Sequence, residues 1–176
     1  MTTRIIAIDP GQSGAIAVVE NDGFLAHLED LNIIRDGRLA WVNGGWLNSM
    51  LMQYGATRMR VVVERVSSMP KQGVASAFNF GVSFGSVLSL VQAHSLPLEF
   101  VTASVWKRAF GLSSDKRASL DKARLLYPHA ELHLAKHEGR AEALLIAHWA
   151  LTRSVVGGVT WTSSTITPHG SILEIA

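Results

Sequence analysis

The sequence predicts a mixed α/β fold, a sheet carrying helices on its faces. Three observations carry that reading. Apolar runs of strand length, at 5–8, 14–20 and 61–63, are bounded by turn residues. Asn21-Asp22-Gly23 follows the second run as a hairpin signal. Two longer segments, 72–93 and 138–153, space their apolar residues as helices do and exceed strand length.

Taken in order, 4–9 reads as a first strand, 14–20 as a second and 24–30 as a third, an antiparallel succession. Residues 38–54 place Leu39, Val42, Trp46, Leu47, Met50 and Leu51 at roughly helical spacing, although Gly44-Gly45 weighs against a helix. Strand 60–64 is a near-continuous apolar run, as suits a central strand buried on both faces. In helix 72–93, Gly73, Ala77, Gly81 and Gly85 recur every four residues. Such a stripe admits another backbone closely, either the chain's own sheet or the same helix of a second copy. The helix is long enough for a membrane span, but Ser76, Asn79, Ser83, Ser86, Ser89 and Gln92 argue against one. Residues 97–101 give a short strand, 104–110 a helix, and 114–126 another that Tyr127-Pro128 stops. The last helix covers 138–153. From Gly157 the chain is rich in Thr and Ser without a pattern. The expected organisation is one domain over 1–156 and a tail over 157–176, flexible or ordered by a partner.

Composition narrows the function classes. Of 176 residues, 48% are apolar and 17% charged, a globular balance. The chain has no cysteine, which excludes disulfides, thiolate metal sites and cysteine nucleophiles and fits a cytoplasmic setting. The opening MTTRIIAIDPG lacks the pattern of a secretory signal. A net charge of +2 says little about nucleic acid. Its distribution says more: Lys107, Arg108, Lys116, Arg117, Lys122 and Arg124 crowd together, with Asp115 and Asp121 the only acids among them. A solvated helix face and a phosphate-binding surface both fit that cluster.

The acids carry the chemistry. Asp9 ends the first strand and Glu64 follows three consecutive valines. Carboxylates at the ends of core strands are costly to desolvate unless something positive meets them, and neither apolar run contains a basic residue. A divalent cation supplies that partner. Glu138 and Glu142, four apart, share one face of the last helix. Glutamates at a helix start also serve simply as partners of the helix dipole, and Asp before Pro-Gly is ordinary turn chemistry. An all-oxygen donor set suits Mg²⁺ or Mn²⁺ rather than zinc, with His137 beside the set rather than in it.

In their order along the chain these residues resemble a known pattern. Ile8-Asp9-Pro10-Gly11 with Ser13-Gly14, Val63-Glu64-Arg65-Val66, Lys107, Lys116 and Glu138-Gly139-Arg140-Ala141-Glu142-Ala143-Leu144 are similar to the motifs of RuvC-type Holliday junction resolvases, in the RNase H-like superfamily. The likeness runs through most of 4–153. Met69-Pro70-Lys71-Gln72-Gly73-Val74 resembles the phage and prophage branch.

The resemblance implies an RNase H-like mixed five-stranded sheet with helices on both faces. It implies a homodimer, for which the small-residue stripe of helix 72–93 offers a seam, that nicks four-way DNA junctions symmetrically and leaves 5′ phosphates. Asp9, Glu64, Glu142 and Glu138 then hold two Mg²⁺ ions, with Mn²⁺ able to substitute. Lys107 and Lys116 lie near the scissile phosphate, and Lys71, Arg108, Arg117 and Lys122 join them on DNA. Two departures stand out. The last helix offers two glutamates four apart where the bacterial enzyme has two aspartates three apart. Ser67, Ser68 and Met69 stand where that enzyme places an aromatic wedge. Two other readings remain open: a branched-DNA-binding module without catalysis, and an actin-like ATP-binding enzyme sharing the opening Asp-x-Gly turn.

Overall fold

The computed structural model describes residues 4–55, 59–65, 73–113 and 116–156. In chain order the elements are β1 (Arg4–Ile8), β2 (Ala15–Val19), β3 (Leu25–Asp30), β4 (Ile33–Asp36), β5 (Leu39–Val42), α1 (Gly44–Tyr54), β6 (Met59–Glu64), α2 (Val74–Ala93), β7 (Leu98–Val101), α3 (Ala103–Ala109), α4 (Lys116–Leu126) and α5 (Glu138–Val156). A single 3₁₀ turn, Ala135–His137, leads into α5.

Five strands form one sheet in the order β3-β2-β1-β6-β7. β1 runs antiparallel to β2 and parallel to β6, and β6 runs parallel to β7. Strand alternation sorts the side chains between two faces. Ile5, Ala7, Ala17, Val19 and Val62 meet Trp106, Leu120, Leu144 and Ala147 of α3, α4 and α5. Ile6, Ile8, Ile16, Val18, Val61 and Val63 meet Leu47, Leu51, Val87 and Val91 of α1 and α2. This is the expected mixed five-stranded sheet with helices on both faces. Both neighbouring strands do carry an arginine, but at the far end, where Arg4 pairs with Glu20 and Arg60 with Glu99.

The expected helix over 38–54 is half a helix. Residues 39–42 instead form β5, which pairs with β4 in a separate two-stranded ribbon. Gly37, at φ 57°, takes the first central place of the two-residue turn, a conformation that glycine adopts without strain. The helix starts after Asn43, whose side chain accepts from Gly45 N and Trp46 N. Gly44-Gly45 thus occupy its first turn, where the helix is least demanding.

At 20 residues α2 is about 30 Å long, whereas a six-residue strand spans about 20 Å. Its buried residues, Ser83, Val87 and Val91, lie toward its C-terminal end. Val74 and Phe78 are 87% and 64% exposed. Side chains added at Gly73, Gly81 or Gly85 would meet nothing within 4 Å. Of the two backbones that this stripe was expected to meet, the chain's own sheet is therefore not the one. By length and composition α2 would also pass for a membrane span, yet Val87 and Val91 sit inside the core.

Candidate active site

Parallel pairing brings the first two acids together. Ile8 faces Val63 in the register, so Asp9 and Glu64 leave the same sheet end side by side. They are 9% and 7% exposed. The turn after β1 is tied by Asp9 itself: Gly11 N donates to its Oδ1 at 3.0 Å, and Asp9 N donates to Ala15 O at 3.0 Å. Gly14 lies against the Asp9 carbonyl so closely that a methyl there would overlap it.

The start of α5 docks on that turn. A Cβ on Gly139 would overlap the Ser13 carbonyl, so only glycine lets the helix come this near. Arg140 fixes the same turn of α5 to the end of β3, with two bonds to Asp30 of 2.7 and 3.0 Å. One helical turn on, Glu142 reaches the strand ends.

Two consecutive residues of α3 then hold two acids from different elements. Trp106 Nε1 donates to Glu64 Oε1 at 2.9 Å, and its indole is fully buried. Lys107 Nζ donates to Glu142 Oε1 at 2.8 Å, with both side chains largely shielded. Burial, foremost, and the neighbouring Asp9 charge push the Glu64 carboxyl up to about 7; the Trp106 hydrogen bond pulls the other way, and Glu142 adds to the rise. The indole is a donor only and brings no charge, so it steadies the ionised carboxylate while leaving the site negative.

Asp9, Glu64, Glu142 and Lys107 therefore converge. Glu138 lies in the first turn of α5, partly exposed, and is not among the charges that shift Glu64. His137 is buried rather than exposed, with its ring against His133. Lys116 opens α4, Arg108 and Arg117 are exposed, and Lys122 is partly so. Arg124 is turned back on its own fold, donating to Leu132 O at 2.8 Å. Lys71, the Ser67-Ser68-Met69 segment and the 157–176 tail lie outside the described residues. Trp106 and Gly139 are what sequence reasoning missed. Their only signals were a tryptophan next to a singled-out lysine and a glycine between two glutamates.

A carboxylate cluster with one member pushed toward neutrality fits a hard divalent cation, which would relieve the crowded negative charge. As the side chains stand, no three described His, Asp or Glu residues are placed to share one ion. Lys107 engages one oxygen of Glu142 and Trp106 one oxygen of Glu64, so an ion taking that Glu142 oxygen would have to displace Lys107.

Sheet order and strand-end carboxylates together define an RNase H-like α/β fold, and within that class the chain has the fold of RuvC. It matches Thermus thermophilus RuvC in complex with a Holliday junction substrate at a TM-score of 0.59, with 16% identity over 86% of this chain and 96% of that one. A second Thermus thermophilus RuvC structure matches at a TM-score of 0.55, with 16% identity over 87% and 96%. In sequence, 93 residues are 38% identical to the chloroplastic Holliday junction resolvase MOC1 of Chlamydomonas reinhardtii. That match spans 51% of this chain but only 10% of the relative's length. No family model matches the chain. None of these proteins is named as a phage protein, and the expected phage branch rests on the sequence alone.

Proposed function

We propose that this chain is a divalent-metal-dependent endodeoxyribonuclease that resolves four-way DNA junctions by paired symmetric nicks. The observation that carries the reading is the convergence of Asp9, Glu64 and Glu142 at one sheet edge, with Lys107 among them. The RuvC fold and the partial match to a junction resolvase support it.

Asp9, Glu64, Glu142 and, with rotation of its side chain, Glu138 would hold two Mg²⁺ or Mn²⁺ ions. Bound there, the ions would activate water and stabilise the departing 3′ oxygen, leaving a 5′ phosphate. Trp106 orients Glu64 without adding a competing charge. Lys107, released from Glu142, would neutralise charge growing on the phosphate. Arg108, Lys116, Arg117, Lys122 and Lys71 would hold the DNA backbone, which positions the substrate without reading its sequence. The open stripe and exposed Val74 and Phe78 of α2 suit pairing with a second copy. A two-fold dimer matches the approximate two-fold symmetry of a junction.

The test is a denaturing-gel assay on a synthetic four-way junction with Mg²⁺, Mn²⁺ or EDTA, beside linear duplex and fork controls. Expected are paired nicks that need metal and favour the junction. Asp9→Asn should still bind the junction but cut it at least about 1,000-fold more slowly. Wild-type cutting by that variant would overturn the site assignment. Tight binding without cleavage under either metal would favour the junction-binding module.

A further inference from the structure

We propose that the β4–β5 ribbon is a second DNA-backbone contact, made through Arg35 and Arg38, on the sheet face opposite the basic α3–α4 surface. The inference rests on the nuclease reading and extends it to a part of the chain that none of the motifs covers.

Topology sets the ribbon at the active-site edge. The end of β3 pairs with the start of β2, Asp30 opposite Ala15, beside the Asp9 turn. Leu31 N donates to Gly14 O at 2.9 Å, and Asn43 N closes the ribbon's base on Asn32 O at 2.7 Å. From that base each four-residue arm reaches about 13 Å. The arms do not join the main sheet.

The ribbon is held in place. Asn79, early in α2, donates from Nδ2 to Arg38 O at 2.7 Å and accepts from Ala40 N at 3.3 Å. One side-chain amide thus ties the ribbon to the exposed N-terminal part of α2. A rigid, edge-mounted ribbon needs little ordering on binding, which favours contact with a ligand.

The tip carries the charge. Arg35, Asp36, Gly37 and Arg38 are all exposed. Among the described residues neither guanidinium forms an ion pair, whereas Arg4, Arg60, Arg124, Arg140 and Arg153 all do. Asp36 offsets one of the two charges and leaves the tip positive. Phosphodiester oxygens are the complementary ligand, since arginine binds them in a forked, charge-assisted geometry. Because α3 and α4 lie across the sheet, the two basic surfaces would flank the cleavage edge from opposite sides, as the arms of a branched duplex require.

The experiment measures affinity of the full chain for a synthetic four-way junction in EDTA across a salt series, with self-association followed by sedimentation. Arg35→Ala/Arg38→Ala should bind at least about ten-fold more weakly, with the slope of log affinity against log salt smaller by about 2 for each bound protomer. The Arg35→Lys/Arg38→Lys variant should regain most of that slope. A double-alanine variant with wild-type slope and affinity, beside a wild type that binds and cuts, would overturn this proposal alone. So would an altered monomer–dimer equilibrium with an unchanged slope, which would assign the ribbon to a second copy. A wild type that binds no junction would overturn both this proposal and the nuclease reading.

Discussion

The two faces of the one sheet are built to different tolerances. Under α3, α4 and α5 the packing closes completely: Trp106 is fully buried, and Gly139 rests on the Ser13 carbonyl with no room for a methyl. Under α1 and α2 the core is equally dry at Val87 and Val91, but α2 then runs past it to exposed residues. The closed face supplies Trp106, Lys107 and Glu142 to the strand-end acids Asp9 and Glu64. The open face supplies surface. Fine positioning of charged groups needs over-determined packing, whereas a docking surface needs reach and exposure.

Gly139 of α5 should make the largest break in this comparison. Gly139→Ala adds one methyl against backbone and should cost about 3 kcal/mol, with loss of cleavage as α5 is pushed from the Asp9 turn. Thermal denaturation and the junction assay would measure both.

Trp106→Phe comes next. It keeps a ring in the core but removes the Glu64 hydrogen bond, and should lower stability by about 2 kcal/mol. Cleavage should slow about ten-fold at saturating DNA, with junction affinity in EDTA unchanged. A stability loss with an unaltered rate would make Trp106 a packing residue only.

Gly81→Ala should have the smallest effect and the opposite sign. Its Cβ would enter open space, so helix propensity should raise monomer stability by up to about 1 kcal/mol. Destabilisation of the monomer would mean that the α2 stripe is packed after all.

Much of this was legible in the sequence because the signals were local. An acid ending each of two apolar strands needs only parallel pairing to become a site, and Ile8 opposite Val63 provides it. Glu142 was placed by its likeness to a family motif, since its spacing from Glu138 suits a partner of the helix dipole equally well. The β4–β5 ribbon was lost because Leu39, Val42 and Trp46 happen to fit a helical period, while Asp36-Gly37, a turn signal, was passed over. Trp106 was illegible for a different reason. Its role depends on a contact 42 residues away, which no local pattern encodes. Gly139 likewise has meaning only against Ser13, far earlier in the chain. Glu138, where the helix departs from the family's spacing, shares the helix of Glu142 but is not among the charges that shift Glu64.

The most direct test of the central claim, that the strand-end acids form a metal site, is anomalous scattering from crystals grown with Mn²⁺. The expected result is a peak between Asp9 and Glu64, roughly 2.1 Å from their oxygens, with Lys107 displaced from Glu142. Saturating Mn²⁺ with no peak at these acids, and the Lys107–Glu142 pair intact, would contradict it.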